Sequence, residues 1–146
     1  MPVKTTYYLT KEYGNLSCVF RNRLADDVTF LLHGHVLRFF IDLGGVDLGE
    51  MQNFLEKSSR WMEEYIEEVF SNTTLVSTND QFSDLIVSLE NEGLVDIRLM
   101  AEVGLGEFAK MIKQDFYQVL EDQTNGRLWV EKIRVFGVGE DHYGEA

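Results

Sequence analysis

Apolar residues dominate positions 28–43, and alternate residues of an extended strand face opposite sides of a sheet. His33, His35, Leu37, Phe39 and Ile41 then share one face, and Gly34, Val36, Arg38, Phe40 and Asp42 share the other. Both faces are largely apolar, which predicts a long strand covered on both sides. Positions 5–21 are rich in β-branched and aromatic residues and break at Gly14-Asn15, the pattern of a strand with a bulge or turn. The polar stretch 22–27 reverses the chain, so these two strands pair antiparallel. Gly44-Gly45 ends the second strand, and Asp47 is placed to cap a helix running to about Phe70. Along that helix Leu48, Met51, Leu55, Met62, Ile66 and Val69 recur at three- and four-residue steps, with Glu50, Lys57, Arg60, Glu64 and Glu68 on other faces.

The second half continues the alternation of layers. Positions 71–80 are polar and turn-like around Leu75-Val76, 82–90 predict a short helix and 95–100 a short strand. A second long helix is expected over 104–120, with Leu105, Phe108, Ala109, Ile112, Phe116, Val119 and Leu120 on one side. After a turn at 123–126, positions 127–138 alternate as a third principal strand, and Tyr143 begins a brief fourth. Neither helix buries enough apolar surface by itself to offset the entropy of ordering its backbone. The expected fold class is therefore α+β: an antiparallel sheet with two long helices on one face. Self-association into a homo-oligomer is the simplest cover for the other apolar face.

Composition narrows the function classes. A chain of 146 residues, 45% hydrophobic, suits a single domain over 1–146. Its formal charge of -12 repels phosphate backbones and anionic lipid, so neither nucleic acid nor membrane is an expected partner. One cysteine, Cys18, forms no internal disulfide, and positions 1–8 lack a basic segment followed by an apolar core, which together suggest a cytoplasmic protein.

Two of the three histidines stand in Leu32-His33-Gly34-His35. On a strand their imidazoles lie side by side, a natural pair of metal ligands, although this spacing more often belongs to half-buried histidines bonded to their neighbours. A catalytic zinc usually takes three protein ligands and keeps a fourth position open. This motif supplies two.

In its order of strand, strand with His-Gly-His, helix, helix and strand, the chain resembles the family of 6-pyruvoyl tetrahydropterin synthase and 6-carboxytetrahydropterin synthase; the latter makes a precursor of the deazapurine queuosine. Leu32-His33-Gly34-His35 matches the family's Leu-His-Gly-His, 46–51 resembles its entry into the first helix, and Phe108-Ala109-Lys110 the start of its second. The resemblance implies a tunnelling fold of ββααββ type, in which small sheets of several subunits close into a barrel with active sites between subunits. It also implies a zinc-dependent lyase acting on a pterin.

Departures from that pattern are several. The family's first zinc histidine, in Phe-x-Ala-Ala-His, falls on Phe20 at the end of Leu16-Ser17-Cys18-Val19-Phe20, and a phenyl ring ligates no metal. Its nucleophilic cysteine falls in 26–30, which holds no thiol, and its Asp-His pair falls on Ser71-Asn72. Its pterin-anchoring glutamate, in a Glu-Thr pair, falls on Gly137-Val138, and the Pro-Thr-x-Glu-Asn opening of its second helix becomes 103–107, with the carboxylate moved to Glu107. Losing one member of a coupled catalytic set already forfeits orders of magnitude in rate. The expectation is an oligomer that keeps the scaffold without the reaction and binds a small heterocycle or acts as a scaffold; the alternative is an active 6-carboxytetrahydropterin synthase-type lyase with a rearranged site. In a rearranged site Cys18, two residues before Phe20, is the candidate third zinc ligand beside His33 and His35, with His142, Asp26 and Asp27 behind it. Glu107 and Glu140 are the candidate anchors for a cyclic amidine, which a carboxylate grips with two hydrogen bonds.

Overall fold

The break at Gly14-Asn15 is a bulge: between Gly14 and Leu16 the register of β1 (Thr6–Phe20) shifts against the antiparallel β2 (His33–Val46), and Asn15 takes a positive φ of 29°. The computed structural model describes residues 6–46, 48–140 and 143–146. The remaining elements are α1 (Leu48–Phe70), β3 (Thr73–Ser77), α2 (Ser83–Ser88), β4 (Ile97–Met100), α3 (Leu105–Thr124), β5 (Leu128–Gly137) and β6 (Tyr143–Glu145). The strands form one six-stranded sheet in the order β4-β3-β1-β2-β5-β6. This is the α+β class the sequence implies.

Three local readings change. The apolar run does not begin as a strand: Val28–Phe30 is a 3-10 turn, and β2 starts only at His33. Gly44-Gly45 does not end β2 but lies inside it, opposite Trp129 and Leu128 of β5. A Cβ on Gly44 would run into the Trp129 indole, so the glycine there serves a close approach rather than a turn. Residues 73–77, expected as turn, form β3, buried at every position and parallel to both β1 and β4. The sheet is thus antiparallel at its centre and parallel at one margin. A short, fully buried parallel strand carries no alternation to betray it.

Both long helices cover one face. Leu37, Phe39, Ile41 and Leu43 of β2, with Val130, Ile133 and Val135 of β5, pack in one cluster with Met62, Ile66 and Phe70 of α1 and Phe108, Ile112 and Phe116 of α3. Phe70 joins the layers, touching Phe39 at 4.9 Å and Phe108 at 5.1 Å between ring centroids. Asp47, the expected cap of α1, lies outside the described residues. The helix α3 runs one turn past Leu120 because Thr124 is itself buried, its hydroxyl donating to the Leu120 carbonyl at 2.6 Å and accepting from the Leu128 N–H at 3.1 Å. Asn125 then leaves the helix in the left-handed region.

The opposite face is more polar than its β2 residues suggest, because neighbouring strands add a ladder of charges. Arg38 pairs with Glu12, and Asp42 accepts from Thr10 at 2.7 Å and from Arg134 at 3.1 Å. Phe40 lies beneath both guanidinium groups and meets Phe136 edge-on at 5.4 Å. No described helix is long and apolar enough to cross a membrane.

The strand β6 closes the sheet over the start of α3. A Cβ on Gly144 would overlap the Leu105 carbonyl and the Gly106 nitrogen, both fixed backbone atoms. Gly144→Ala is therefore expected to cost about 1–3 kcal/mol and to loosen β6 first. Denaturant unfolding together with amide exchange at Ala146, whose N–H donates to Ile133 at 2.9 Å, measures both effects.

Candidate functional site: the histidine corner

The ends of β1 and β5 meet the start of β2 at one corner of the sheet. Cys18 lies directly across from His35, and Phe20 from His33. His33 and His35 project to the helix side, as their alternation with Leu37 and Phe39 requires. His33 is exposed, whereas the His35 side chain is 3% exposed. The Phe20 ring lies parallel to the His35 imidazole, 3.8 Å between centroids with planes 8° apart. His33 stacks on His35 at 4.5 Å, and Phe108 braces Phe20 edge-on at 5.2 Å.

The two imidazoles are oriented in the same way. His33 Nδ1 is 2.8 Å from the Leu31 carbonyl oxygen, and His35 Nδ1 is 2.8 Å from Glu140 Oε1. With each Nδ1–H donating, each Nε2 keeps its lone pair, the arrangement that fixes metal-binding histidines. His35 Nε2 is buried and has no hydrogen-bond partner among the described residues. Two ligands for a zinc ion are therefore well presented.

A third is missing. Among the described residues no three His, Cys, Asp or Glu side chains gather into a group that could hold a metal ion. Cys18 shares the corner, and burial and the nearby Glu140 charge push its thiol up to about 12, so without a metal it stays protonated. Its slow chemistry is testable: the folded protein is expected to leave Cys18 unmodified by a thiol reagent at pH 8, with one equivalent reacting on unfolding. The same shift has a sign for stability. The folded chain retains this proton where the unfolded thiol, near 8.5, has lost it, so stability present below about pH 8.5 is lost as pH rises towards 12.

Of the other candidates among the described residues, Glu140 alone joins the corner, and it does so as the partner of His35 rather than as an open anchor. Glu107 is exposed in the first turn of α3 and pairs with Lys110 at 3.4 Å. Asp26 and Asp27 are exposed before the 3-10 turn, and His142 lies outside the described residues. Asn72 does reach the corner: its backbone N–H donates to the Ser17 carbonyl at 2.7 Å. It helps line a groove of about 440 Å³ with Val19, Leu32, Gly34, Val36 and Leu94. Nothing stands within 4 Å of a Cβ built on Gly34, and because Val19, Gly34 and Val36 alternate with Cys18 and His35, this groove opens on the side of the sheet away from the imidazole rings. Two contributors escaped the sequence reading. Phe20 was visible only as a missing histidine, and Gly137 as a missing glutamate, yet both shape the surroundings of His35.

Neither a protein-family model nor a curated protein matches the chain by sequence. Solved structures do match its fold. An uncharacterized protein, WS1659 from Wolinella succinogenes, superposes with a TM-score of 0.73 at 10% identity, over 97% of this chain and 98% of the other. The 6-pyruvoyl tetrahydropterin synthase of Plasmodium vivax gives 0.60 at 11% identity over 97% of each chain, and that of Plasmodium falciparum gives 0.56 at 9% over 97% and 98%. Likeness at such identity defines the fold alone. The chain has the tunnelling fold of the 6-pyruvoyl tetrahydropterin synthase type.

Proposed function

We infer that this chain is a tunnelling-fold protein that binds a small heterocycle at the histidine corner and does not carry out the pterin synthase reaction. One observation carries the reading: the residue standing where the resemblance puts a third zinc ligand is Phe20, and its ring is packed flat on His35. That stack fills the space beside the imidazole with carbon and leaves stacking and hydrogen bonding as what the corner offers. The half-buried rings of Phe40 and Phe136 on the opposite face support assembly of the chain with copies of itself. Sedimentation of nothing but monomer at micromolar concentration would remove that part of the reading.

The test is calorimetric titration with neopterin and guanine, against wild type and His33→Ala. Removing this exposed imidazole takes away a stacking surface without opening the core, so binding is expected to fall at least tenfold while the melting temperature holds. Absence of binding by wild type to either compound rejects the proposal. The second reading, a zinc-dependent lyase with a rearranged site, is favoured by the two available Nε2 lone pairs; turnover of dihydroneopterin triphosphate with zinc supplied would establish it.

A further inference from the structure

Glu140 reaches His35 by an unusual route. After β5 the chain turns back, with Gly139 at a φ of 82° and the Glu140 N–H donating to the Gly137 carbonyl at 3.0 Å. The Glu140 carboxylate then lies back over Gly137, in the space that a Cβ there would occupy. Gly137 sits opposite Leu37 and follows Ile133 and Val135 on the helix side of the sheet, so it faces the same way as His35. A glycine at this strand position admits the carboxylate to the corner. Any larger residue excludes it.

We propose that Glu140, admitted by Gly137, is a positioning residue that fixes His35 as the Nδ1–H tautomer with a bare Nε2, so that the corner offers its ligand a hydrogen-bond acceptor. Two observations converge on this. A carboxylate oxygen 2.8 Å from Nδ1 requires a donor there, since two acceptors at that distance repel. The opposite nitrogen, on a side chain 3% exposed, has no hydrogen-bond partner among the described residues, and an unsatisfied buried polar atom persists where a ligand or water completes it. Stacking by Phe20 and His33 prevents the ring from turning to exchange its nitrogens. The ligand group that meets His35 is therefore an N–H or O–H, and a carbonyl or carboxylate is turned away. This inference rests on reading the corner as a ligand site, but its test does not need the ligand.

Two-bond proton–nitrogen correlation spectra of the nitrogen-labelled full chain at pH 8 report which ring nitrogen carries the proton, with His35 assigned from the His35→Gln spectrum. Wild type is expected to show the proton on Nδ1 alone. In Gly137→Ala, where the flexible Glu140 side chain must swing away, and in Glu140→Ala, the Nδ1 preference is expected to be lost and at least half of the population to carry the proton on Nε2. A wild-type proton on Nε2, by itself or together with one on Nδ1, would overturn the assignment. So would an unchanged tautomer in Glu140→Ala, even if Gly137→Ala failed to fold. Failure of neopterin and guanine to bind would reject the heterocycle reading and leave this result standing.

Discussion

Replacing Arg21 by methionine is expected to destabilise the protein by about 3–5 kcal/mol. Arg21 leaves the end of β1 and pairs with Asp80 at 2.9 Å, the two side chains 11% and 3% exposed. Its guanidinium also lies 4.2 Å from the Phe30 ring centroid and 5.1 Å from that of Phe82. One side chain thus joins β1, the 3-10 turn before β2 and the entry to α2. Without it a buried carboxylate loses its ion-pair partner and keeps only the more distant Arg23 charge, and most of the loss is the cost of that buried charge rather than of the pair itself. The double variant Arg21→Met, Asp80→Asn should therefore recover much of the stability, because the amide keeps an acceptor for the Phe82 N–H that Asp80 now binds at 2.9 Å. Equal losses in the single and double variants would show that the aromatic contacts, not the buried charge, dominate. At this chain length the single variant corresponds to a drop in melting temperature on the order of 10 °C.

Phe108→Ala is expected to cost a similar amount, about 3–5 kcal/mol, through the cavity it leaves. Phe108 is fully buried on α3 and meets Phe20 and Phe70 edge-on. The effect should extend to the site. Phe20 loses its brace, so the parallel stack on His35 loosens and the imidazole becomes accessible to solvent. Denaturant melts give the first quantity, and exchange broadening of the His35 ring signals gives the second. A large stability loss with unchanged His35 signals would separate the core from the corner.

How much of this was legible beforehand follows from where the chain keeps its periodicity. The helix α1 and the central strands announce themselves, because Met62, Ile66 and Phe70, or Leu37, Phe39 and Ile41, bury one face and leave the pattern on the page. The strand β3 does not, since Thr73, Thr74 and Ser77 are buried polar side chains, two of them satisfied by backbone carbonyls: Thr73 donates to that of Val69 at 2.7 Å and Ser77 to that of Ala101 at 2.8 Å. Gly44 reads as a terminator until the Trp129 ring is seen above it. At the site, His33 and His35 were fixed by strand alternation, and Cys18 was placed near them by the same rule. What the sequence withheld was Glu140 as the partner of His35. Its approach depends on the turn at Gly139 and the vacancy at Gly137, a signal carried by the Gly137-Val138-Gly139-Glu140 spacing only once β5 is known to face the histidines with Gly137. The charge ladder on the open face was half visible as well: Arg38 and Asp42 stood in the apolar run, but Glu12 and Arg134 belong to neighbouring strands.

Among the described residues His33 and His35 form an oriented pair to which no third ligand is gathered, and Phe20 lies flat on the His35 ring. Elemental analysis of purified, zinc-supplemented protein at known oligomer size probes this pair. Well under one zinc per chain is expected, with no change when His33 is replaced by alanine. Near one zinc per chain, lost in His33→Ala, would contradict it and return the chain to the zinc-dependent enzymes.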